Sequence, residues 1–196
     1  MKSSPATTAE AVMEAAERLN IVSFLEEIRG TAEFDRQRVI DLLSAIATLE
    51  RGGAQMYQQY SQQTNEQEYK ARWQEFARET AVHAQVADRV ISALGGDPGY
   101  RSPAAMELEK AVSPMLKIEA RGDVADLTRL GYLVMVENVF RHQWRGVNGL
   151  ARRIKDPGVA KILWDASRIV ERDEEEHVRW NTVAYDSQFG KVATGM

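Results

Sequence analysis

The sequence predicts an all-α protein built on four long helices that pair as two antiparallel hairpins joined by a long crossover. Two observations favour helices over strands: no segment alternates cleanly between apolar and polar residues, and β-branched residues are scattered through segments dominated by Ala, Glu, Arg, Gln and Leu. A third is the presence of four periodic segments longer than about 25 residues, each followed by a change of pattern. We expect the 196 residues to form one domain.

The predicted helices follow one another with clear boundaries. Residues 1–31 should form a helical cap, because Thr7 and Glu10 have the spacing of a capping box and a second short helix ends near Gly30. The four long helices are predicted at residues 32–62, 67–94, 127–154 and 158–185.

Residues typical of turns separate these helices. "SQQTNE" follows the first helix, and "KDPG" follows the third, where Asp156 would cap the fourth helix and Pro157 would begin it. The middle connection, residues 95–126, starts with "GGDPGYRSP" and contains a helical stretch of its own, "PAAMELEKAVSPMLKI". Short connections favour antiparallel neighbours, so residues 32–94 and 127–186 each predict a hairpin.

Composition excludes several classes of function. The chain has no cysteine, which excludes disulfides, thiolate zinc sites, ordinary iron–sulfur clusters and cysteine nucleophiles. Acidic residues outnumber basic ones, 29 against 25, so we expect no binding to nucleic acid. No run of about 18 apolar residues occurs, and the first residues lack a signal-peptide core. We therefore expect a cytoplasmic protein without membrane contact, in which any metal is bound by Glu, Asp and His.

Two glutamates interrupt otherwise apolar stripes, Glu50 in the first long helix and Glu137 in the third. At offsets of −7, −4, +3 and +7 the stripes contain Leu43, Ile46, Gly53 and Tyr57 around Glu50, and Leu130, Leu133, Phe140 and Trp144 around Glu137. These offsets lie on one face of a helix, so both carboxylates should point inward. A buried and unpaired carboxylate costs several kcal/mol unless it is neutralised or coordinated.

The other two long helices carry a histidine on an inward face. His83 follows Glu79 by four residues, and His177 follows Glu174 by three, within the acidic stretch "VERDEEEHVRW". Asp173 shares the face of His177 as well. The two glutamates between Glu174 and His177 fall off this face and are expected to be solvated.

The four helices together offer one carboxylate from each of two helices, and a carboxylate with a histidine from each of the others. This is the ligand set of a two-metal carboxylate site inside a four-helix bundle. With this set, the "GGDP" turn and the "DEEEH" motif, the sequence resembles the ferritin-like superfamily, and in particular its small bacterial members of unassigned function. The resemblance covers residues from about 34 to 185.

The resemblance implies a site for two iron ions, or iron with manganese, in which two carboxylates bridge the ions. The implied ligands are Glu50, Glu79, His83, Glu137, Glu174 and His177. It also implies an oxidoreductase that acts with dioxygen or peroxide, and we expect a monomer or homodimer rather than a cage. The second helix departs from the family pattern, because Thr80 stands three residues before His83 and Glu79 stands four before it. The second helix therefore leaves two alternatives for the metal position that His83 would serve. Glu79 retains this position, or the position is weak, mononuclear or lost.

The alternative interpretation is a bundle without metal, whose buried acids pair with histidines or arginines and which acts as a binding or interaction module. Hydroxylation of modified tRNA, as in one ferritin-like family, is disfavoured by the acidic composition. Gly52 and Gly53 have two interpretations: room for a substrate or dioxygen, or close packing of a neighbouring helix. Tyr57 and Trp144 are more simply core residues than an electron relay.

Overall fold

The computed structural model describes residues 33–117 and 124–195, and this part of the chain is all-helical. Its five helices are α1 (Arg36–Gln63), α2 (Gln67–Ala93), α3 (Pro103–Leu116), α4 (Ala125–Arg153) and α5 (Pro157–Thr194). The predicted all-α class is confirmed, the four long helices are present, and α3 forms within the predicted crossover. Within the described ranges, no helix has the combination of length and apolar character needed to cross a membrane.

Local sequence signals explain where three of the helices begin. The side chains of Asp35, Ser102 and Asp156 accept hydrogen bonds from backbone N–H groups in the first turns of α1, α3 and α5. These N–H groups have no partner inside the helix, so the caps stabilise its start. Pro103 and Pro157 occupy the first positions of α3 and α5, where the missing N–H of proline costs nothing.

The end of α5 differs from the prediction. The helix continues to Thr194 rather than ending near Tyr185, because Gly190 is accommodated within it. Gly195, with a left-handed φ of 67°, ends the helix. The predicted N-terminal cap, residues 1–31, lies outside the described residues.

α1 and α2 pack along their lengths and run in opposite directions. Close to their short connection, the rings of Tyr60 and Trp73 lie 6.2 Å apart. Further from it, Arg51 and Asp88 form an ion pair at 2.6 Å. Because the residue number rises along α1 while it falls along α2, the two helices are antiparallel. α4 and α5 also pack along their lengths.

The two pairs of helices contact each other, α1 against α4 and α2 against α5. The hydroxyl of Thr64 at the end of α1 donates to Asp126 at the start of α4, at 2.8 Å. The hydroxyl of Tyr69 early in α2 donates to Gln188 late in α5, at 3.3 Å. Each long helix therefore faces two others.

α3 lies against α1 and is attached to it by hydrogen bonds at both ends. The hydroxyl of Ser102, which caps α3, also donates to the carbonyl of Asp41 at 2.9 Å. At the other end of α3, the carbonyl of Met115 accepts a hydrogen bond from the hydroxyl of Tyr60 at 3.0 Å. This part of the crossover is thus fixed on the outer side of α1.

The apolar core consists of two clusters of buried side chains. Leu43 and Ile91 belong to the first cluster, and Trp73 and Leu130 belong to the second. Burying one large apolar side chain stabilises a fold by about 1.5–3 kcal/mol. Between the two clusters, the middle turns of the long helices bring polar side chains into the interior.

Gly52 and Gly53 allow other side chains to pack closely against α1. A Cβ atom at Gly53 would lie 2.7 Å from Cζ of Phe140, and one at Gly52 would lie 2.8 Å from Cγ1 of Val112 in α3. Both distances are shorter than two carbon atoms allow. The structure therefore favours close packing, the second of the two interpretations, over open space beside Glu50.

We expect Gly53→Ala to destabilise the fold by about 1–3 kcal/mol, because the ring of Phe140 has to move. The matched control is Gly146→Ala in α4, since no atom lies within 4 Å of a Cβ built at Gly146. That change should stabilise α4 by up to about 1 kcal/mol through helix propensity alone. Urea unfolding measures both changes, and equal effects would show that Gly53 is not needed for packing.

Candidate metal centre

Five buried side chains from the four long helices meet between the two apolar clusters. Glu50 comes from α1, His83 from α2, Glu137 from α4, and Glu174 and His177 from α5, and none is more than 1% exposed. They form two overlapping groups, Glu50–His83–Glu174 and Glu137–Glu174–His177. Within each group, one oxygen or nitrogen atom per residue lies within 4.8 Å of the others. We call these five residues the carboxylate–histidine centre.

The helix period explains why glutamates face the interior. Glu50 shares its face of α1 with Leu43 and Tyr57, and Glu137 shares its face of α4 with Trp144; all five side chains are buried. Their burial confirms the inward orientation of both glutamates. The apolar residues of each stripe therefore determine where the charged residue points.

The acidic residues of α5 divide into buried and exposed ones, as their positions around the helix predict. Glu174 is fully buried, whereas Glu175 and Glu176 are exposed on the outer side of the helix. Glu175 forms an ion pair with Arg145 at 3.0 Å, and Glu176 forms one with Arg72. Only the first of these three glutamates belongs to the centre.

Glu79 approaches the centre from its outer side, through His177. Its carboxylate lies 2.9 Å from Nε2 of His177, and its side chain is 38% exposed. The other ring nitrogen, Nδ1, lies 3.4 Å from a carboxylate oxygen of buried Glu137. A metal-binding histidine commonly donates its outer N–H to such a carboxylate, which orients the inner nitrogen. Of the six residues predicted to bind metal, Glu79 alone is not among the five buried ones.

His83 has a corresponding arrangement with different partners. Its Nδ1 lies 2.8 Å from Oε1 of Glu174, and its Nε2 lies 3.5 Å from Oδ2 of the partly exposed Asp173. Asp173 stands four residues before His177, just as Glu79 stands four before His83. The outer acid of each histidine therefore comes from the helix that carries the other histidine.

Thr80 occupies the position in α2 that Glu174 occupies in α5. Each stands three residues before the histidine of its helix, and both are fully buried. The hydroxyl of Thr80 has no hydrogen-bond partner among the residues that the structure describes. The centre consequently contains three buried carboxylates, and an uncharged side chain stands in place of a fourth.

Trp144 and Tyr57 stand seven residues after Glu137 and Glu50, and each reaches towards the glutamate of the other helix. Nε1 of Trp144 donates a hydrogen bond to Oε1 of Glu50 at 2.6 Å. The hydroxyl of Tyr57 accepts one from Nδ2 of Asn181 at 2.6 Å, and the charge of nearby Glu137 contributes to a raised tyrosine pKa, after burial. Both aromatics are core residues, but these polar contacts were not predicted. Their shared offset was the only signal in the sequence.

Most polar atoms of the centre lack a hydrogen-bond partner of good geometry within the described ranges. They are Oε2 of Glu50, both carboxylate oxygens of Glu137 and Glu174, both ring nitrogens of His83, and Nδ1 of His177. The short contact between His83 and Glu174 does not have the direction of a hydrogen bond. Unpartnered buried polar groups are rare and cost about 1–3 kcal/mol each. A cation between these atoms would satisfy them together, so the donor set fits a metal ion.

Burial and neighbouring charges alter the acidity of these groups. Burial raises the pKa of Glu50 and, together with the charge of Glu137, raises that of Glu174 well above its usual range. Burial by itself lowers the pKa of His177, but Glu137, Glu79 and Glu174 raise it to about 10. In the absence of a cation, the centre therefore retains protons that exposed groups would release.

Comparison with known proteins gives no match. No protein-family model matches the chain, and neither a curated protein nor a solved structure is significantly similar to it. The resemblance to the ferritin-like superfamily therefore stays a prediction from the motifs. A function has to be inferred from the residues of the centre.

For the metal-free protein we expect the free energy of unfolding to fall as the pH rises from 6.5 to about 10. The folded chain keeps a proton on His177 across this range, whereas the unfolded chain releases it near pH 6.5. The folded state then binds more protons, so stability decreases by up to about 1.4 kcal/mol per pH unit for each such proton. Glu50 and Glu174, whose pKa values are raised from 4.5, add a decrease of the same sign that begins at lower pH.

Urea unfolding after removal of metal, repeated at several pH values, measures this dependence. His177→Gln should make the decrease between pH 6.5 and about 10 smaller, and the part that remains would come from His83, whose pKa the charges of Glu50 and Asp173 also raise. Constant stability of the unmodified chain over that range would contradict the expected protonation.

Proposed function

We propose that this protein is a ferritin-like metal-binding protein whose carboxylate–histidine centre holds two divalent ions, iron or iron with manganese. We further propose that it is an oxidoreductase that acts with dioxygen or peroxide. One observation carries the proposal: five buried side chains from four helices direct unpartnered oxygen and nitrogen atoms at one another. Such an arrangement is costly unless cations or protons lie between the groups.

The arrangement of the long helices supports the ferritin-like part of the proposal. The contacts of α1 with α2 and of α4 with α5 are those expected of two antiparallel pairs, and the connection that contains α3 leads from one pair to the other. A four-helix bundle of two hairpins joined by a crossover has this order of contacts. Proteins of that kind bind two metals with a glutamate from each of two helices and a Glu-x-x-His motif from each of the others. This chain has that set except at Thr80.

The donor atoms support iron or manganese over softer metals. Carboxylate oxygens suit manganese and imidazole nitrogens suit iron, while the ligands that favour copper(I), thiolates and thioethers, are missing from the centre. Each of the two groups of the centre supplies two carboxylates and one imidazole, and Glu174 belongs to both. Glu174 would therefore be the carboxylate shared between the ions.

The outer acids would prepare the histidines for a metal. When Nε2 of His177 donates its proton to Glu79, Nδ1 presents a lone pair towards Glu137 and Glu174. Asp173 lies on the corresponding side of His83. Glu79 would in this way influence metal binding without being a ligand itself.

Bound iron would supply redox chemistry with dioxygen or peroxide, which no side chain of the chain provides. The residues around it would exclude water and control protons. The ring of Phe76 lies 4.2 Å from that of His177 and covers one side of the imidazole. Glu79 and Asp173 are partly exposed, so they could pass protons between the imidazoles and solvent.

A second candidate function is a metal-free bundle that acts as a binding or interaction module. The contacts of His83 with Glu174 and of His177 with Glu137 favour it, because acid–imidazole pairs can neutralise buried carboxylates with protons alone. Metal analysis of protein purified without chelator separates the two functions. About two irons per chain support the metal centre, and no metal after reconstitution with ferrous iron supports the module. Consumption of dioxygen or peroxide by the loaded protein then tests the oxidoreductase.

Glu174→Gln should weaken the binding of both ions by more than about 100-fold, because Glu174 belongs to both groups and glutamine removes its charge. Helicity should be unchanged, since the side chain keeps its shape. The matched control is Glu175→Gln, which changes the next residue of the same helix but lies on the exposed side.

Metal content after reconstitution and dialysis measures both variants, together with the protons released on binding. The control should bind as the unmodified chain does. Equal metal content in the two variants would show that the buried residues do not bind the ions.

A further inference from the structure

The two terminal carboxylates of the centre are not equally free to bind a cation. Oε1 of Glu50 accepts the hydrogen bond from Trp144, so only Oε2 is unpartnered. Neither oxygen of Glu137 has a hydrogen bond of good geometry within the described residues. A carboxylate with two free oxygens is the stronger ligand, since it can chelate.

The two imidazoles also differ in how firmly they are oriented. Nε2 of His177 lies within hydrogen-bond distance of Glu79, at 2.9 Å. Nε2 of His83 lies 3.5 Å from Asp173 and has no hydrogen-bond partner in the described part of the chain. Removing an outer carboxylate partner commonly weakens metal binding by about 10-fold to 100-fold. Both differences therefore predict that Glu137 and His177 bind a cation more strongly than Glu50 and His83 do.

The charge of the centre limits its capacity for a second ion. Two divalent cations bring four positive charges, against which the interior offers the three carboxylates of Glu50, Glu137 and Glu174 and two neutral imidazoles. Glu79 and Asp173 lie behind the imidazoles and are partly exposed, so they would act on the ions through the rings and not as ligands. The buried carboxylates by themselves therefore leave one positive charge unbalanced, which a further anion among the ligands would offset.

Thr80 offers a hydrogen-bond donor for a compensating anion. This residue replaces the fourth carboxylate of the repeated pattern, and its buried hydroxyl has no hydrogen-bond partner among the described residues. A hydroxyl can donate a hydrogen bond to an anion. The class of ligand that fits the missing group is a small oxygen anion with the shape of a carboxylate, for which formate is a probe.

We propose that the centre binds its two ions unequally, the first at Glu137–Glu174–His177 and the second at Glu50–His83 only together with a small oxygen anion beside Thr80. This inference rests on the proposed metal-binding function and adds an order of binding and an anion to it. The second ion would thus be the exchangeable one.

Titration of the metal-free chain with Mn²⁺, followed by calorimetry and by the electron paramagnetic resonance of free Mn²⁺, tests the order. In a buffer without carboxylates or phosphate, we expect one ion to bind and the second to bind at least about tenfold more weakly. Added formate should strengthen the second step and leave the first unchanged. Two ions of equal affinity, or a second step that does not respond to formate, would overturn the inference.

The equivalent variants Glu137→Gln and Glu50→Gln identify which side fills first. Glu50→Gln should retain the tight ion and lose the weak one, whereas Glu137→Gln should lose the tight ion. The opposite result would overturn the assigned order. These variants change the same atom type at matched positions of α1 and α4, and both preserve side-chain shape.

Changes at Thr80 test the anion position. Thr80→Glu restores the missing carboxylate, so its second ion should bind tightly without formate. Thr80→Val exchanges the hydroxyl for a methyl group and should abolish the formate effect, which keeps the test decisive if the larger glutamate prevents folding. A formate effect unchanged in Thr80→Val would place the anion elsewhere. If the unmodified chain binds no Mn²⁺ or ferrous iron at all, the proposed function itself fails.

Discussion

The burial of three carboxylates at one level of the molecule is the constraint on which the rest of the structure depends. Glu50, Glu137 and Glu174 have no exposed surface, and charges of the same sign repel strongly once water is removed. They can remain together only if protons or cations lie between them. This requirement links the four long helices, because a shift of α5 by one residue would turn Glu174 away from the other carboxylates.

Apolar packing on both sides keeps the centre dry. One buried cluster includes Leu43 and Trp144, and the other includes Trp73 and Phe140. The inner oxygen and nitrogen atoms have no contact with bulk solvent, and an ion or a proton between them would serve as their partner. The outer nitrogens of the histidines face partly exposed acids instead, so the imidazole rings connect the buried interior to solvent. The apolar packing that stabilises the fold would therefore also limit which molecules reach the proposed site.

The two halves of the chain, α1 with α2 and α4 with α5, contribute similar residues to the centre. The chemistry of the centre would follow from the positions at which the two halves differ. α1 and α4 both provide a glutamate and an aromatic residue, while α2 and α5 both provide a histidine and an outer acid. Pairs that differ include Thr80 with Glu174, Glu79 with Asp173, and Tyr57 with Trp144. Each difference changes the charge or the hydrogen bonds around one side. Two ions in such a centre would therefore have different neighbouring side chains, although the two pairs of helices provide them from matched positions.

The sequence by itself determined the all-helical class, the approximate helix bounds and the inward faces of Glu50, Glu137, Glu174 and the two histidines. These features depend on the 3.6-residue period and on local caps, which act within one helix. Only the tertiary structure decided how groups from different helices meet. It placed Glu79 on the outer nitrogen of His177, directed the indole of Trp144 to Glu50, and packed Phe140 against Gly53. Such contacts depend on the rotation, register and rotamers of neighbouring helices, and no pattern within a single helix encodes them.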